Sequence, residues 1–89
     1  MDKDLINLIK IFKAIGNERR FLIVKHLYSA KKLSVGQMSE LINLSFRSTS
    51  KHLSVLMNSD MIKSKQVGLH KFYFINPKLS KDILQFFSG

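Results

Sequence analysis

Apolar and polar positions follow two periods along this chain, helical as far as Met57 and strand-like after it. Lys3 to Ile15 carries Leu5, Ile6, Leu8, Ile9, Ile11, Phe12 and Ile15, an apolar surface wider than the single stripe that an amphipathic helix buries. Gly16 is placed to end this helix and Asn17 to cap the next. Glu18 to Ser29 repeats the helical period through Phe21, Leu22, Val24, Leu27 and Tyr28, with Glu18 favourably placed in the first turn. Arg19 and Arg20 are expected in solvent, with phosphate contact the lesser alternative. Ser34-Val35-Gly36-Gln37 has the Ser-x-x-Gln form of a capping box, and Met38, Leu41 and Ile42 give the short helix behind it an inner face. Asn43-Leu44 reads as a turn.

The stretch from Ser45 to Met57 is the most informative. Ser45 is an N-cap, Leu44 before it can act as a staple, and Thr49, Leu53, Leu56 and Met57 fall at i, i+4, i+7 and i+8, one inward stripe. Arg47, Ser50, Lys51 and Ser54 fall on the opposite side. That outer face has two cations, small hydroxyls and no carboxylate, since Leu41 to Ser59 contains no Asp or Glu. A solvated surface helix usually mixes both charge signs, and serine is a weak helix former. The face suits the DNA major groove, where Arg bridges guanine O6 and N7 and short polar side chains allow close approach.

After Asn58-Ser59-Asp60 the period becomes two. Met61 to Gln66 and Leu69 to Ile75 are β-capable runs around Val67-Gly68, with Ile62, Phe72 and Phe74 expected inward and Lys63, Lys65 and Lys71 between them. Gly68 supplies the positive φ of a tight hairpin turn. Asn76-Pro77 is expected to open a last helix, Lys78 to Phe87, with Leu79, Ile83, Leu84, Phe86 and Phe87 apolar. An 89-residue chain is one domain, residues 1–89, with few places to surround two such apolar helices. The first and last helices are therefore expected to pair across a homodimer, with Leu5, Leu8, Ile9, Phe12, Ile83, Phe86 and Phe87 at the interface. Membrane-surface binding is the other explanation of the terminal aromatics.

Charge sharpens this picture. Fifteen Lys and Arg against six Asp and Glu leave a net charge of +9, which makes a polyanion the natural partner. Between Leu41 and Lys81 the only acid is Asp60, against Arg47, Lys51, Lys63, Lys65, Lys71, Lys78 and Lys81. The absence of cysteine removes thiolate metal sites and thiol redox sensing, and makes a cytoplasmic location the simplest expectation. Lys10 and Lys13 interrupt the N-terminal apolar run, so neither a signal peptide nor a membrane span is expected.

Helix, helix, turn, basic helix and hairpin together resemble the winged helix-turn-helix of the ArsR-type bacterial and archaeal transcription repressors, over nearly the whole chain. The resemblance rests on Phe12-Lys13-Ala14-Ile15-Gly16-Asn17-Glu18-Arg19-Arg20, on Met38-Ser39-Glu40-Leu41, and on Leu44-Ser45 leading to Ser50-Lys51-His52-Leu53-Ser54-Val55-Leu56. The last of these is the most specific. Asp60-Met61-Ile62 and Gly68 to Phe74 are similar to the family's turn and wing, with Asp60 where Gly is usual.

This resemblance implies a mainly α fold with a β-hairpin wing, and a homodimer that presents two recognition helices to successive major grooves of a palindromic operator. It implies DNA contact by Phe46, Arg47, Ser48, Ser50, Lys51 and His52 on the recognition helix, and by Lys65, Gln66, His70 and Lys71 on the wing; the residue pattern itself adds Ser45 and Ser54 to the first set and Lys63 to the second. Phe46 departs from the polar residue common at its position, and either meets a thymine methyl or packs inward. Thr49 matches a position that is usually apolar.

Many relatives of that type release DNA on binding metal. Here Gln37, Met38 and Ser39 stand where a Cys-x-Cys lies in metal sensors, and Lys78 to Phe87 offers Asp82 but no histidine. No metal or other cofactor is expected. His26, His52 and His70 are scattered over three elements, and no phosphate loop, nucleophile elbow or carboxylate pair is present. No catalytic residue is assigned, and enzyme activity is not expected. His52 and His70 are each expected to contact phosphate or brace their element, and histidine protonation to strengthen DNA binding slightly at low pH. Two alternatives share the fold: a protein-interaction or assembly module, and a non-specific architectural DNA-binding protein.

Overall fold

Side-chain caps decide where most of the helices begin. In a computed structural model describing residues 1–89, Asp2 accepts from the Leu5 amide at 2.9 Å to open α1, Lys3–Ile15, and Asn17 accepts from the Arg20 amide to open α2, Glu18–Ala30. A two-residue strand β1, Leu33–Ser34, leads into α3, Val35–Leu41, where Ser34 and Gln37 form the expected reciprocal capping box. Ser45 caps α4, Phe46–Asn58. Strands β2, Ile62–Val67, and β3, His70–Ile75, form the hairpin, and α5, Lys81–Leu84, runs into a single 3₁₀ turn, Gln85–Phe87.

The expected α-rich fold with a wing is present, and the wing is larger than a hairpin. β1 pairs antiparallel with β3, giving a three-stranded sheet in the order β1-β3-β2. Two residues carry no readable period, so this strand had no sequence signal.

The core takes one side of each element. Ile11, Ala14 and Ile15 come from α1, Ile23, Val24 and Leu27 from α2, Met38 from α3, Leu53 and Leu56 from α4, and Met61 and Ile62 from the approach to the wing. Leu41 departs from its expected inward place and is 51% exposed, while Met38 and Ile42 enter the core as expected.

The register of the hairpin overturns the expected inner face of β3. Ile62 is fully buried and lies opposite Ile75, and Ser64 lies opposite Tyr73, so Tyr73 and Ile75 share the core side. Phe72 and Phe74 therefore lie on the other side, opposite Lys65 and Lys63. Lys32 Nζ covers the Phe72 ring at 5.0 Å from its centroid.

The last helix begins three residues later than expected. Asn76 Oδ1 accepts from the Lys78 amide at 3.0 Å and its carbonyl accepts from the Leu79 amide, which holds Asn76 to Leu79 as a turn and leaves Ser80 as the N-cap. The change to a 3₁₀ turn then aims Ile83 and Phe87 into the protomer. Phe87 is 1% exposed, with its ring 4.7 Å from that of Phe21. Ile83 and Phe87 are therefore core residues rather than interface residues, and Phe86 alone of the three faces outward.

Candidate nucleic-acid interface

Turn chemistry places α4 relative to α3. Asn43 takes a positive φ of 52°, the Leu44 amide donates to the Ser39 carbonyl at 3.0 Å, and Leu44 packs on the core. Arg19 Nη1 donates to the Ile42 carbonyl at 3.3 Å, so α2 braces this turn. Arg20 Nε donates to the Ala14 carbonyl at 2.6 Å and clips the end of α1 to α2. Arg20 is thus half-buried and structural, where a solvated side chain was expected, while Arg19 keeps its expected exposure and reaches the turn from the surface. Their acceptors are backbone carbonyls, invisible to a reading of side-chain pattern.

Thr49 occupies its usually apolar position without strain on hydrogen bonding. Its side chain is buried, and its hydroxyl donates to the Ser45 carbonyl at 2.8 Å. With Thr49, Leu53 and Leu56 turned inward, Arg47, Lys51 and Ser54 are exposed on the opposite side, and Ser48 and Ser50 are half-buried at its edges. No carboxylate neutralises the two cations, since the one ion pair of the protein joins Lys63 to Asp60. Phe46 does not pack inward; it is 61% exposed. Val55 is also partly exposed, but nine residues of helix put it at the opposite edge of the stripe from Phe46, so the two make no continuous apolar patch.

His52 is half-buried. Burial, and then the charges of Arg20 and Arg19, hold its imidazole below the usual histidine range. In the free protein this shifts protonation of His52 to lower pH than an ordinary histidine would require.

The wing places its cations unevenly. Gly68 has φ +62° at the first position of a two-residue turn, the requirement of a type II′ hairpin, and Gln66 Nε2 donates to its carbonyl at 3.2 Å. Lys65, Gln66, His70 and Lys71 are exposed near the tip, where Leu69 stands almost wholly in solvent. Lys63 lies at the base instead and is held by Asp60 at 2.8 Å, so it stands apart from the other wing candidates. The lysine pair holds the Asp60 carboxyl below its ordinary range.

Three residues outside the candidate DNA-contact sets position these parts. Ser59 Oγ donates to the Leu56 carbonyl and accepts from the Met61 amide, closing the end of α4. Asn76 donates from Nδ2 to the Asp60 carbonyl, and its own amide bonds the Met61 carbonyl. Asp60 itself has a φ of +62°, which accounts for the glycine usual at that position. The Asn-Pro pair at Asn76 and the Gly-for-Asp contrast were the available signals.

On α1, Leu5, Leu8, Ile9 and Phe12 recur at i, i+3, i+4 and i+7 and are all substantially exposed, beside the stripe that enters the core. No three His, Asp or Glu side chains converge as a metal site would require, and no helix is long and apolar enough to cross a membrane.

No family model matches the chain. Among known proteins it is similar to the uncharacterised HTH-type transcriptional regulator YuzN of Bacillus subtilis, 30% identical over 81 residues, covering 84% of this chain and 88% of that protein. It is also similar to the transcriptional activator HlyU of Vibrio cholerae, 28% identical over 85 residues and covering 96% and 78% of the two chains. The solved structure of HlyU superposes with a TM-score of 0.84 at 28% identity, covering 97% of this chain and 92% of that one. The transcriptional repressor PagR of Bacillus anthracis gives 0.83 at 26% identity, covering 93% and 94%. At 20% identity the fold alone is shared with the homodimeric winged helix-turn-helix DNA-binding domain of a possible ArsR-family regulator from Mycobacterium bovis, with a TM-score of 0.80 over 99% and 81% of the chains.

Proposed function

The chain belongs to the HTH-type transcriptional regulators, and we propose that within this family it is a repressor that binds a palindromic operator as a homodimer and does not respond to metal. The observation that carries the reading is the acid-free outer stripe of α4, in which Arg47, Lys51 and Ser54 stand exposed opposite the buried Thr49, Leu53 and Leu56. Placed in a major groove, this stripe reads bases through Arg47 with Ser50 and Lys51, while Ser45, Ser48, His52 and Ser54 meet phosphates or base edges around it. Phe46, exposed at the first position of the helix, meets a thymine methyl. Lys65, Gln66, His70 and Lys71 bring the wing to the flanking backbone and minor groove.

Self-association is supported by the exposed stripe of Leu5, Leu8, Ile9 and Phe12, to which Phe86 adds a second apolar surface. Two copies related by a two-fold axis would set the recognition helices about 34–36 Å apart, one turn of DNA. The homodimeric Mycobacterium bovis domain of the same fold is consistent with this arrangement. Repression is the simpler outcome, because occupancy of an operator suffices to exclude polymerase. The cysteine positions of metal sensors hold Gln37, Met38 and Ser39, and no histidine and carboxylate cluster replaces them. Nor is there a catalytic constellation: the largest groove, about 600 Å³, has one carboxylate, and Lys63 occupies it. Such a regulator works in the cytoplasm.

Site selection from random duplex DNA tests the proposal, followed by titration of the selected site and a scrambled one at matched salt. A palindrome bound far more tightly than its scramble is the expected result. Equal affinity would leave an architectural protein, and no binding would leave an interaction module; either overturns the reading.

A further inference from the structure

An open cleft of about 440 Å³ lies between α1, α2 and α4, with Lys10, Lys13, Arg20, Val55 and Asn58 among its walls. Three of these residues are cations, no carboxylate lines the cleft, and none of the three takes part in the protein's single ion pair. Arg20 is the fixed member. Its Nε is held by the Ala14 carbonyl at 2.6 Å, which orients the planar guanidinium and leaves its terminal nitrogens for a ligand without the entropy cost of ordering the group. Lys10 and Lys13 flank it from α1, one turn apart and exposed.

The cleft is continuous with the outer stripe of α4. Asn58 follows Arg47, Lys51 and Ser54 at eleven, seven and four residues, all close to one helical line, so the stripe ends in the cleft. Val55 gives the shallow apolar side.

We propose that Lys10, Lys13 and Arg20 form a phosphate-binding shelf for the DNA backbone, engaging phosphates beside the C-terminal end of α4 that neither the reading stripe nor the wing reaches. The inference rests on the DNA-reading assignment and adds a third contact region to it. Lys10 and Lys13 lie on α1 away from the line of Leu5, Leu8, Ile9 and Phe12, so the shelf stays open in a dimer built on that stripe. The ligand is backbone rather than a small anion because the cleft is open, its lysines are long and solvated, and it faces the same way as the reading stripe.

The test uses the full chain and the double variant Lys10→Gln/Lys13→Gln, whose positions are exposed. Lys3→Gln/Lys81→Gln serves as the charge-matched control, removing two cations from the first turns of α1 and α5. Affinity for the selected operator and for its scramble is measured across a salt series, and phosphate ethylation interference maps the backbone contacts. The shelf variant is expected to weaken both DNAs by the same factor and to make the log K against log salt slope less negative by about 3.6, four phosphates per dimer at about 0.9 each. Interference at one set of phosphates in each half-site should disappear while that at the wing phosphates persists, and the control should leave the map intact.

An unchanged slope and map in the shelf variant, with wild-type protein still preferring its operator, would overturn the shelf and leave the reading helix standing. Wild-type protein without any preference would overturn both. A third arm adds pyrophosphate and follows amide shifts; saturable shifts lost in the shelf variant, with its DNA salt slope unchanged, would assign the cleft to a free anion and overturn the backbone assignment.

Discussion

Asn76 Nδ2 donates to the backbone carbonyl of Asp60 at 2.9 Å, so the exit of the wing is tied to the exit of the recognition helix. The same side chain accepts from the Lys78 amide, and the Asn76 amide donates to the Met61 carbonyl at 3.0 Å. One buried amide thereby fixes where the hairpin starts, where it ends and how the last turn leaves it.

Asn76→Ala removes two of these bonds and leaves buried backbone groups without partners. Denaturant unfolding should show a loss of about 1–3 kcal/mol. Asn76→Asp keeps the acceptor for Lys78 and loses the donor to Asp60, and should fall between wild type and alanine. If aspartate were as stable as asparagine, the bond to the Asp60 carbonyl would carry no stability.

Asp60 has its φ at +62°, a conformation costly for residues with a Cβ and milder for Asp than for Ala. Asp60→Gly should therefore be at least as stable as wild type, gaining up to about 1 kcal/mol, and Asp60→Ala should be the least stable of the three. The lost ion pair with Lys63 matters little, because both partners are largely exposed. An alanine variant matching glycine in thermal unfolding would show that the backbone there costs nothing.

His52 gives a pH dependence whose sign is determined. Burial and the neighbouring guanidinium groups favour the neutral imidazole in the folded state, so its folded value lies below the unfolded 6.5. The stability it contributes is fully present above pH 6.5 and is lost as pH falls through the lower folded value. Imidazole NMR should place its midpoint below 6.5, and His52→Gln should remove that part of the acid sensitivity. A midpoint at or above 6.5 in the free protein would refute the placement of Arg20 and Arg19 around it.

The two ends of the chain separate packing from association. Ile9→Asp, on the exposed stripe of α1, should yield folded monomers that lose operator binding, read by sedimentation and circular dichroism. Phe87→Ala empties a buried site against Phe21 and should cost about 3–5 kcal/mol without changing the oligomer of the molecules that remain folded. A dimeric Ile9→Asp protein would refute the α1 interface.

These contrasts show which features the sequence made legible. Thr49, Leu53 and Leu56 recur at one helical period inside good caps, and Gly68 is a glycine where a hairpin needs positive φ, so the helix-turn-helix and the wing were readable from local chemistry. In β3 the pattern was ambiguous, because Phe72 and Phe74 look as apolar as Tyr73 and Ile75; only pairing with the buried Ile62 settles the parity. Ile83, Phe86 and Phe87 were indistinguishable until the helix tightened into a 3₁₀ turn and changed their directions. The exposed stripe of α4 lies on one element and could be read, whereas the cations of the cleft come from α1 and α2 and meet only through the fold.

Base reading and backbone contact should separate by mutation. Arg47 is exposed at the start of α4 and unpaired within the protein, so Arg47→Ala should cost about 1–3 kcal/mol on the preferred operator and flatten discrimination at one position of each half-site. Lys65→Ala and Lys71→Ala, near the wing tip, should weaken preferred and scrambled DNA alike and reduce the magnitude of the salt slope by about 1.8, two phosphates per dimer. The distinction is physical: a guanidinium bridging O6 and N7 loses its geometry on other bases, whereas an ammonium beside a phosphate meets the same charge in every sequence. Competition binding over all single-base variants of the half-site, repeated at two salt concentrations, measures both quantities. Unaltered affinity and preference after Arg47→Ala would move the reading face away from this stripe of α4, with Phe46 and Ser50 the next positions to vary.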